Sequence, residues 1–160
     1  MMKKNKNKTG INRKKTYATI YTDASYDAGT GFGYGGFRIQ SETVSIRDNS
    51  YLGIVLDSNY AELTTILTAL RRAVKEHDYK LNGALVYSDS KVAIESIESN
   101  MHPKYATIAR VIKMFIKKQS MKIKFVHVKA HVAKGERSLQ HAINDDCDKL
   151  ARMEKYATRG

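Results

Sequence analysis

Tyr17–Ala18–Thr19–Ile20–Tyr21–Thr22–Asp23–Ala24–Ser25 runs in the alternating period of a β-strand and then stops abruptly on a carboxylate. Strands disfavour Asp, and an Asp at a strand end ordinarily makes a turn by hydrogen-bonding its own backbone two residues on. Taken alone, Asp23 reads as a turn residue. What the rest of the chain delivers beside it decides whether it does more.

Working outward, Asp27 to Thr30 supplies a turn, and Gly31 to Gln40 continues as a second strand with Phe32, Tyr34, Phe37 and Ile39 set among glycines. Those glycines lack the strand, loop and helix context of a phosphate cradle, so they read as a glycine-rich hairpin. Thr43 to Arg47 offers a third strand, completing an antiparallel meander. The period then becomes helical. Leu63, Ile66, Leu67, Leu70 and Val74 form one apolar stripe, with Asp57, Ser58 or Asn59 as N-cap, which places Glu62 in the first turn. Gly83 to Ser88 is a short buried strand that stops at Asp89. A second helix runs from Ser90 until Asn100 and Pro103 break it, and a third carries Ile108, Val111, Ile112 and Phe115. Lys122 to Val128 is the last strand, a polar loop follows from Lys129 to about Ala142, and Asn144 to Lys155 is the final helix.

Composition bounds the function. A chain of 160 residues with 42% hydrophobic content suits one domain with an ordinary core. Its one cysteine, Cys147, excludes an internal disulfide framework and fits a reducing, cytoplasmic setting; it reads as a small buried residue. No apolar run approaches the roughly 20 residues of a membrane span, and the basic start lacks the apolar region of a signal peptide. Net charge is +12, of which Lys3, Lys4, Lys6, Lys8, Arg13, Lys14 and Lys15 supply +7 with no acid among residues 1–15. These are expected to form a disordered basic tail ahead of a single domain over 16–160, and such a tail gains affinity for polyanions by releasing counterions from phosphates.

The element order carries a geometric consequence. In a three-strand meander the first and third strands run the same way, so Glu62, just after the third, starts at the edge where Asp23 ends. A right-handed crossover lays the fourth strand parallel to the first, bringing Asp89 to that edge. A second crossover brings the fifth strand's exit there, and Asp148 enters on the helix that follows. Four carboxylates thus converge at the strand ends where open α/β sheets commonly bind ligands. Like charges raise one another's pKa, so a cation is expected among them. Oxygen-only donors select a hard ion such as Mg²⁺, and two such ions are the usual device for cutting phosphodiesters.

Thr22–Asp23–Ala24–Ser25, Asn59–Tyr60–Ala61–Glu62, Tyr87–Ser88–Asp89–Ser90, His127–Val128–Lys129–Ala130–His131 and Asn144 through Arg152 resemble, in order, the motifs of type 1 ribonuclease H. The resemblance spans about residues 16–155. It implies an α/β, ribonuclease H-like fold: a five-stranded mixed sheet, three antiparallel strands then parallel strands four and five, flanked by helices. It also implies a monomeric endonuclease that hydrolyses the RNA strand of RNA/DNA hybrids, leaving 3′-hydroxyl and 5′-phosphate ends. Two Mg²⁺ ions, replaceable by Mn²⁺, are implied as cofactors. Asp23 would bridge both ions, Glu62 and Asp89 would hold one with the nucleophilic water, and Asp148 the other. His131 resembles the mobile loop histidine that assists proton transfer or product release. Asn59 resembles the residue that reads 2′-hydroxyls in the minor groove. Ser25, Lys91 and Asn144 are further implied substrate contacts.

The chain also departs from the family pattern. The loop between His131 and Asn144 is long and contains His141, an alternative to His131, which is favoured because it directly follows the strand. Ala24 stands where glycine is common. The tryptophan-rich basic protrusion of some bacterial members is missing, since only Asn100 to Lys104 separates the two helices and the chain has no Trp. Lys91, Lys104, Lys113, Lys117, Lys118 and the tail are then candidates for gripping substrate. His77, His102 and His127 read as structural. A DNA-processing nuclease on the same fold and a non-catalytic hybrid-binding module are the competing readings.

Overall fold

The computed structural model of the chain describes residues 14–129 and 138–159. Its elements run β1 (Tyr17–Asp27), β2 (Phe32–Gln40), β3 (Ser45–Ile54), α1 (Ser58–Glu76), β4 (Gly83–Ser88), α2 (Lys91–Glu98), a single 3₁₀ turn (Pro103–Tyr105), α3 (Ala106–Lys118), β5 (Lys122–His127) and α4 (Leu139–Arg159). One sheet holds all five strands in the order β3-β2-β1-β4-β5. β1, β2 and β3 pair antiparallel, whereas β1–β4 and β4–β5 pair parallel. This is the mixed five-stranded α/β sheet that the element order predicts.

The strand period of two decides which helix each residue meets. Ala18, Ile20, Phe37, Ile39 and Val86 face the main core, where Leu63, Ile66, Leu70 and Val74 of α1 and Ile108 and Ile112 of α3 pack against them. Tyr21, Tyr34 and Gly36 turn to the other face, which α4 covers with Cys147, Leu150 and Ala151, all buried. Two adjacent glycines of β2 set how near the helices come. A Cβ on Gly35 would stand 2.6 Å from Thr65 Oγ1 of α1. A Cβ on Gly36 would overlap the Cys147 carbonyl of α4. The hairpin is glycine-rich because both helices press on it from opposite sides.

Several boundaries differ from those the sequence predicts. β3 extends to Ile54 rather than ending at Arg47, because its polar residues have partners that a period reading does not see. Arg47 makes a two-pronged ion pair with Asp146 of α4 at 2.7 Å, Asp48 takes Arg72 of α1 at 2.9 Å, and Asn49 donates to the Leu150 carbonyl at 2.9 Å. α4 begins at Leu139, five residues before the predicted Asn144. Leu139 is exposed, so no apolar stripe announces that first turn. His141 is therefore not a loop residue: its ring Nδ1 accepts from the Ser138 backbone N–H at 2.9 Å, reaching back to the helix start as in a capping box. Residues 1–13 of the basic tail and His131 lie outside the described residues.

His77 is structural, as expected. Buried at the end of α1, it joins the Ala73 carbonyl at 2.6 Å to Ser41 Oγ at 2.7 Å, fastening the β2–β3 turn to the helix.

Candidate active site

The parallel pairing of β1 with β4 ends at Tyr21↔Tyr87, whose rings stack 4.6 Å apart. Asp23 and Asp89 each stand two residues beyond that last rung, which brings them level as the strands part. Thr22, fully buried, closes the gap by donating from Oγ1 to the Tyr87 carbonyl at 3.2 Å. Glu62 arrives from above. Asp57 is the N-cap, its side chain accepting from Tyr60 N at 2.9 Å, so Glu62 lies past the first turn of α1 rather than within it.

One oxygen each from Asp23, Glu62 and Asp89 lies within 4.8 Å of the other two. The Ala24 N–H ties two of them together, donating to Asp23 Oδ1 at 2.9 Å and Glu62 Oε1 at 3.0 Å. Asp23 is 5% exposed and Glu62 7%, and Glu62 Oε2 has no hydrogen-bond partner among the described residues. Asp89 is half-buried and takes a hydrogen bond from Asn144, itself buried with its Oδ1 unpartnered.

Burial and mutual repulsion dominate the electrostatics. Burial, then the Asp89 charge, push Asp23 up to about 7. Burial, then Asp23 and Asp89, hold Glu62 well above the usual carboxylate range. Burial also raises Asp89, with Asn144 opposing. No Lys or Arg among the described residues pairs with any of the three. Three close carboxylates, an Oε2 without a partner among the described residues and oxygen-only donors fit a divalent cation, which would offset the repulsion that raises their pKa values.

The remaining predicted residues fall around this trio unequally. Asp148 reaches the same edge and acts on both Asp23 and Asp89, but it is 36% exposed and pairs with Arg152 of its own helix at 3.1 Å. Ser25 follows Asp23 by two residues on β1 and is half-buried. Asn59 sits at the start of α1, where its Oδ1 accepts from Ser90 Oγ at 3.1 Å. Lys91 opens α2 exposed to solvent, 3.9 Å from Glu95. His127 touches the site from behind, its Nε2 donating to the Asp89 carbonyl at 3.1 Å. Cys147 is fully buried, and burial pushes its thiol up, which suits packing rather than nucleophilic attack.

Ser90 and Arg152 lie within the motifs singled out in the sequence, but the sequence reading assigns neither of them a role beside the carboxylates. Both carried a signal: Ser90 precedes a helical run and caps it, donor Ala93 N at 3.0 Å, and Arg152 follows Asp148 at i,i+4. Away from the carboxylates, at the other end of the sheet, a groove of about 430 Å³ is lined by Tyr17, Thr19, Leu85, Lys122 and Lys124. It holds no acidic side chain and is not part of this site.

A mixed five-stranded sheet with buried carboxylates where β1 and β4 part defines a ribonuclease H-like protein with a candidate divalent-cation site. The chain belongs to the ribonuclease H family, whose model matches residues 15–156. Among solved structures, it is similar to LC11-RNase H1, isolated from compost by a metagenomic approach and solved in complex with an RNA/DNA hybrid. The two share 18% identity and a TM-score of 0.69, covering 88% of this chain and 99% of the other. RNase H1 from the halophilic archaeon Halobacterium salinarum NRC-1 matches at 16% identity and TM-score 0.64, covering 88% of this chain and 98% of that one. The N-terminal RNase H domain of Rv2228c from Mycobacterium tuberculosis matches at 21% identity and TM-score 0.63, covering 86% and 97%. No curated protein matches the chain by sequence. Among the described residues no helix is long and apolar enough to cross a membrane.

Proposed function

We propose that this protein is a divalent-metal-dependent endoribonuclease that hydrolyses the RNA strand of RNA/DNA hybrids, leaving 3′-hydroxyl and 5′-phosphate ends. The observation that carries the reading is the trio Asp23, Glu62 and Asp89, gathered within 4.8 Å with the first two buried and all three raised in affinity for protons, at the sheet edge of a ribonuclease H family member. A protein that only bound hybrid would gain by losing negative charge beside phosphates.

Asp23, Glu62, Asp89 and Asp148 would hold two Mg²⁺ ions, with Mn²⁺ a workable substitute. Such ions, when bound, lower the pKa of water and stabilise the leaving oxygen of a phosphodiester. The chain's own residues prepare for this. Ala24 N–H fixes the oxygens of Asp23 and Glu62, and Asn144 fixes Asp89, so little reorganisation is left for the moment of reaction. Asn59 and Ser25 face the sugar edge of the hybrid, and Lys91 meets a phosphate. His131 shuttles a proton between the leaving group and solvent. The seven cations of residues 1–15 add affinity for the polyanion without reading its sequence.

The test is cleavage of a uniform RNA/DNA hybrid and of matched duplex DNA under equal Mg²⁺. Hybrid cleavage at 5′-phosphate ends, abolished by Asp23→Asn, is expected. Preference for DNA would sink the reading in favour of a DNA-processing nuclease, and hybrid binding without cleavage would leave a binding module.

A further inference from the structure

A second polar assembly adjoins the carboxylates, and of its members the chemistry proposed above uses only Asn59. Asp57 caps α1 through Oδ1. Its other oxygen, Oδ2, receives the Tyr105 hydroxyl at 2.7 Å and the Lys104 ammonium at 2.7 Å. The Tyr105 oxygen meets the side-chain amide of Asn59. Asn59 Oδ1 accepts from Ser90 Oγ, which in turn accepts from Ala93 N and so caps α2 beside Asp89. Hydrogen bonds thus join the 3₁₀ turn to the start of α1, and the start of α1 to that of α2, the two meeting where the Tyr105 oxygen faces the Asn59 amide.

The sense of each contact in this assembly is determined. An ionised carboxylate only accepts, and the Lys104 ammonium against Asp57 favours the ionised form. Tyr105 must therefore give its single hydroxyl hydrogen to Asp57, which leaves its oxygen able only to accept from Asn59. Ser90 has one hydrogen too, and Asn59 Oδ1 is what receives it. The Asn59 amide is thus held with Nδ2 toward Tyr105 and Oδ1 toward Ser90; turned over, it would set oxygen against oxygen at Tyr105. Held this way, it keeps one N–H and one lone pair for a further partner.

We propose that Tyr105 is a positioning residue for sugar recognition: it locks the Asn59 amide in one orientation, so that a defined donor and acceptor face the 2′-hydroxyls of the RNA strand. A 2′-hydroxyl both donates and accepts, so it distinguishes a locked amide from a freely turning one. The inference rests on the proposed reading of the protein as a hybrid-cleaving enzyme with Asn59 as a sugar contact. Tyr105 is itself only 6% exposed and its ring packs in the core, so it acts through Asn59 and not by touching nucleic acid.

The experiment compares full-length wild type, Tyr105→Phe, Asn59→Ala and the double variant on a uniform hybrid. Tyr105→Phe keeps the ring and removes the lock, so KM should rise about fivefold, as for one lost hydrogen bond, with kcat within about twofold. Affinity for matched duplex DNA should not change, so the preference for hybrid falls. Adding Tyr105→Phe to Asn59→Ala should cost nothing further. A loss of kcat, or an equal loss on the Asn59→Ala background, would show a packing role and overturn the inference. Should Tyr105→Phe not fold, Asp57→Asn asks the same question. Its carbonyl still caps α1, while its new NH₂ forces the Tyr105 hydrogen toward Asn59 and turns the amide over. The same KM rise is expected, and an unchanged KM overturns the inference. A wild type that cleaves no hybrid refutes the proposed function and this inference together; an active wild type with unaffected variants refutes this inference alone.

Discussion

α1 and α4 press on opposite faces of β2, and each delivers a carboxylate to the same sheet edge, but the two arrive in different states. Glu62 of α1 is buried, bonded to the Ala24 N–H, without a partner for Oε2 among the described residues, and held toward its protonated form. Asp148 of α4 is over a third exposed and paired with a neighbour on its own helix. Glu62 belongs to a preassembled trio whose repulsion only a cation or protons can offset. Asp148 stands beside the trio, restrained by an exposed i,i+4 pair of a kind worth about 0.3–0.5 kcal/mol. The edge therefore has a fixed part and an adjustable part.

Four experiments would break or sharpen that contrast. The largest effect is expected at the centre of the fixed part, where Asp23→Asn should lower hybrid cleavage more than about a thousandfold while leaving the fold intact. Residual activity within tenfold of wild type, measured in single turnover, would remove Asp23 from the site. Next is Gly36→Ala, which drives a methyl group into the α4 backbone and should destabilise the protein by about 1–3 kcal/mol in urea unfolding. Gly35→Ala meets only the Thr65 side chain and should cost less; the reverse order would show that α1, not α4, is the less yielding helix.

A smaller effect should appear in stability against pH without divalent ions. Asp23 holds its proton up to about 7, pushed there by burial and then by Asp89, whereas its ordinary value is 3.8. Between those values the folded state binds protons that the unfolded state has released, so stability falls as pH rises from about 4 to about 7 and levels above. Asp146, held low by Arg47, acts in the opposite sense only below about pH 4. Melting temperatures in EDTA across pH 4 to 8 should slope downward, and Mg²⁺ should flatten the slope. An upward slope in EDTA would mean that some other positive group already neutralises the trio. The smallest effect belongs to the adjustable part: Arg152→Ala frees Asp148 and should tighten Mg²⁺ binding by about twofold, as befits an exposed pair. A change beyond tenfold in calorimetry would show that Asp148 belongs to the fixed part along with Glu62.

The difference between the two parts also explains what could be read from the chain. The meander, the crossover and the arrival of Glu62 and Asp89 follow from periodicity and handedness, and the structure has them; the first strand, however, does not stop at Asp23 but runs to Asp27 along β2, and only its pairing with β4 ends before Asp23. α1 and β4 are flanked by strong signals, the Asp57 cap and the buried run Gly83 to Ser88. The start of α4 and the far half of β3 were not legible, because both are built from polar side chains whose partners a period reading does not reveal. Arg47 finds Asp146, Asn49 finds Leu150, and His141 finds Ser138. Burial was out of reach for the same reason. Nothing in the spacing of Asp23, Glu62, Asp89 and Asp148 says that the first two are buried and the other two only partly so.

The adjacent glycines of β2 have one more consequence. Because successive residues point to opposite faces, Gly35 and Gly36 are a two-sided notch, and each helix can seat only where its own notch lies beneath it. A hairpin that slipped by two residues would set Arg38 or Tyr34 under α4 in place of Gly36, and in one direction Phe37 under α1 in place of Gly35, so the α4 layer could not close as it does here. The pair thus ties the register of the hairpin to the seats of both helices, and through them to the place where Glu62 and Asp148 arrive.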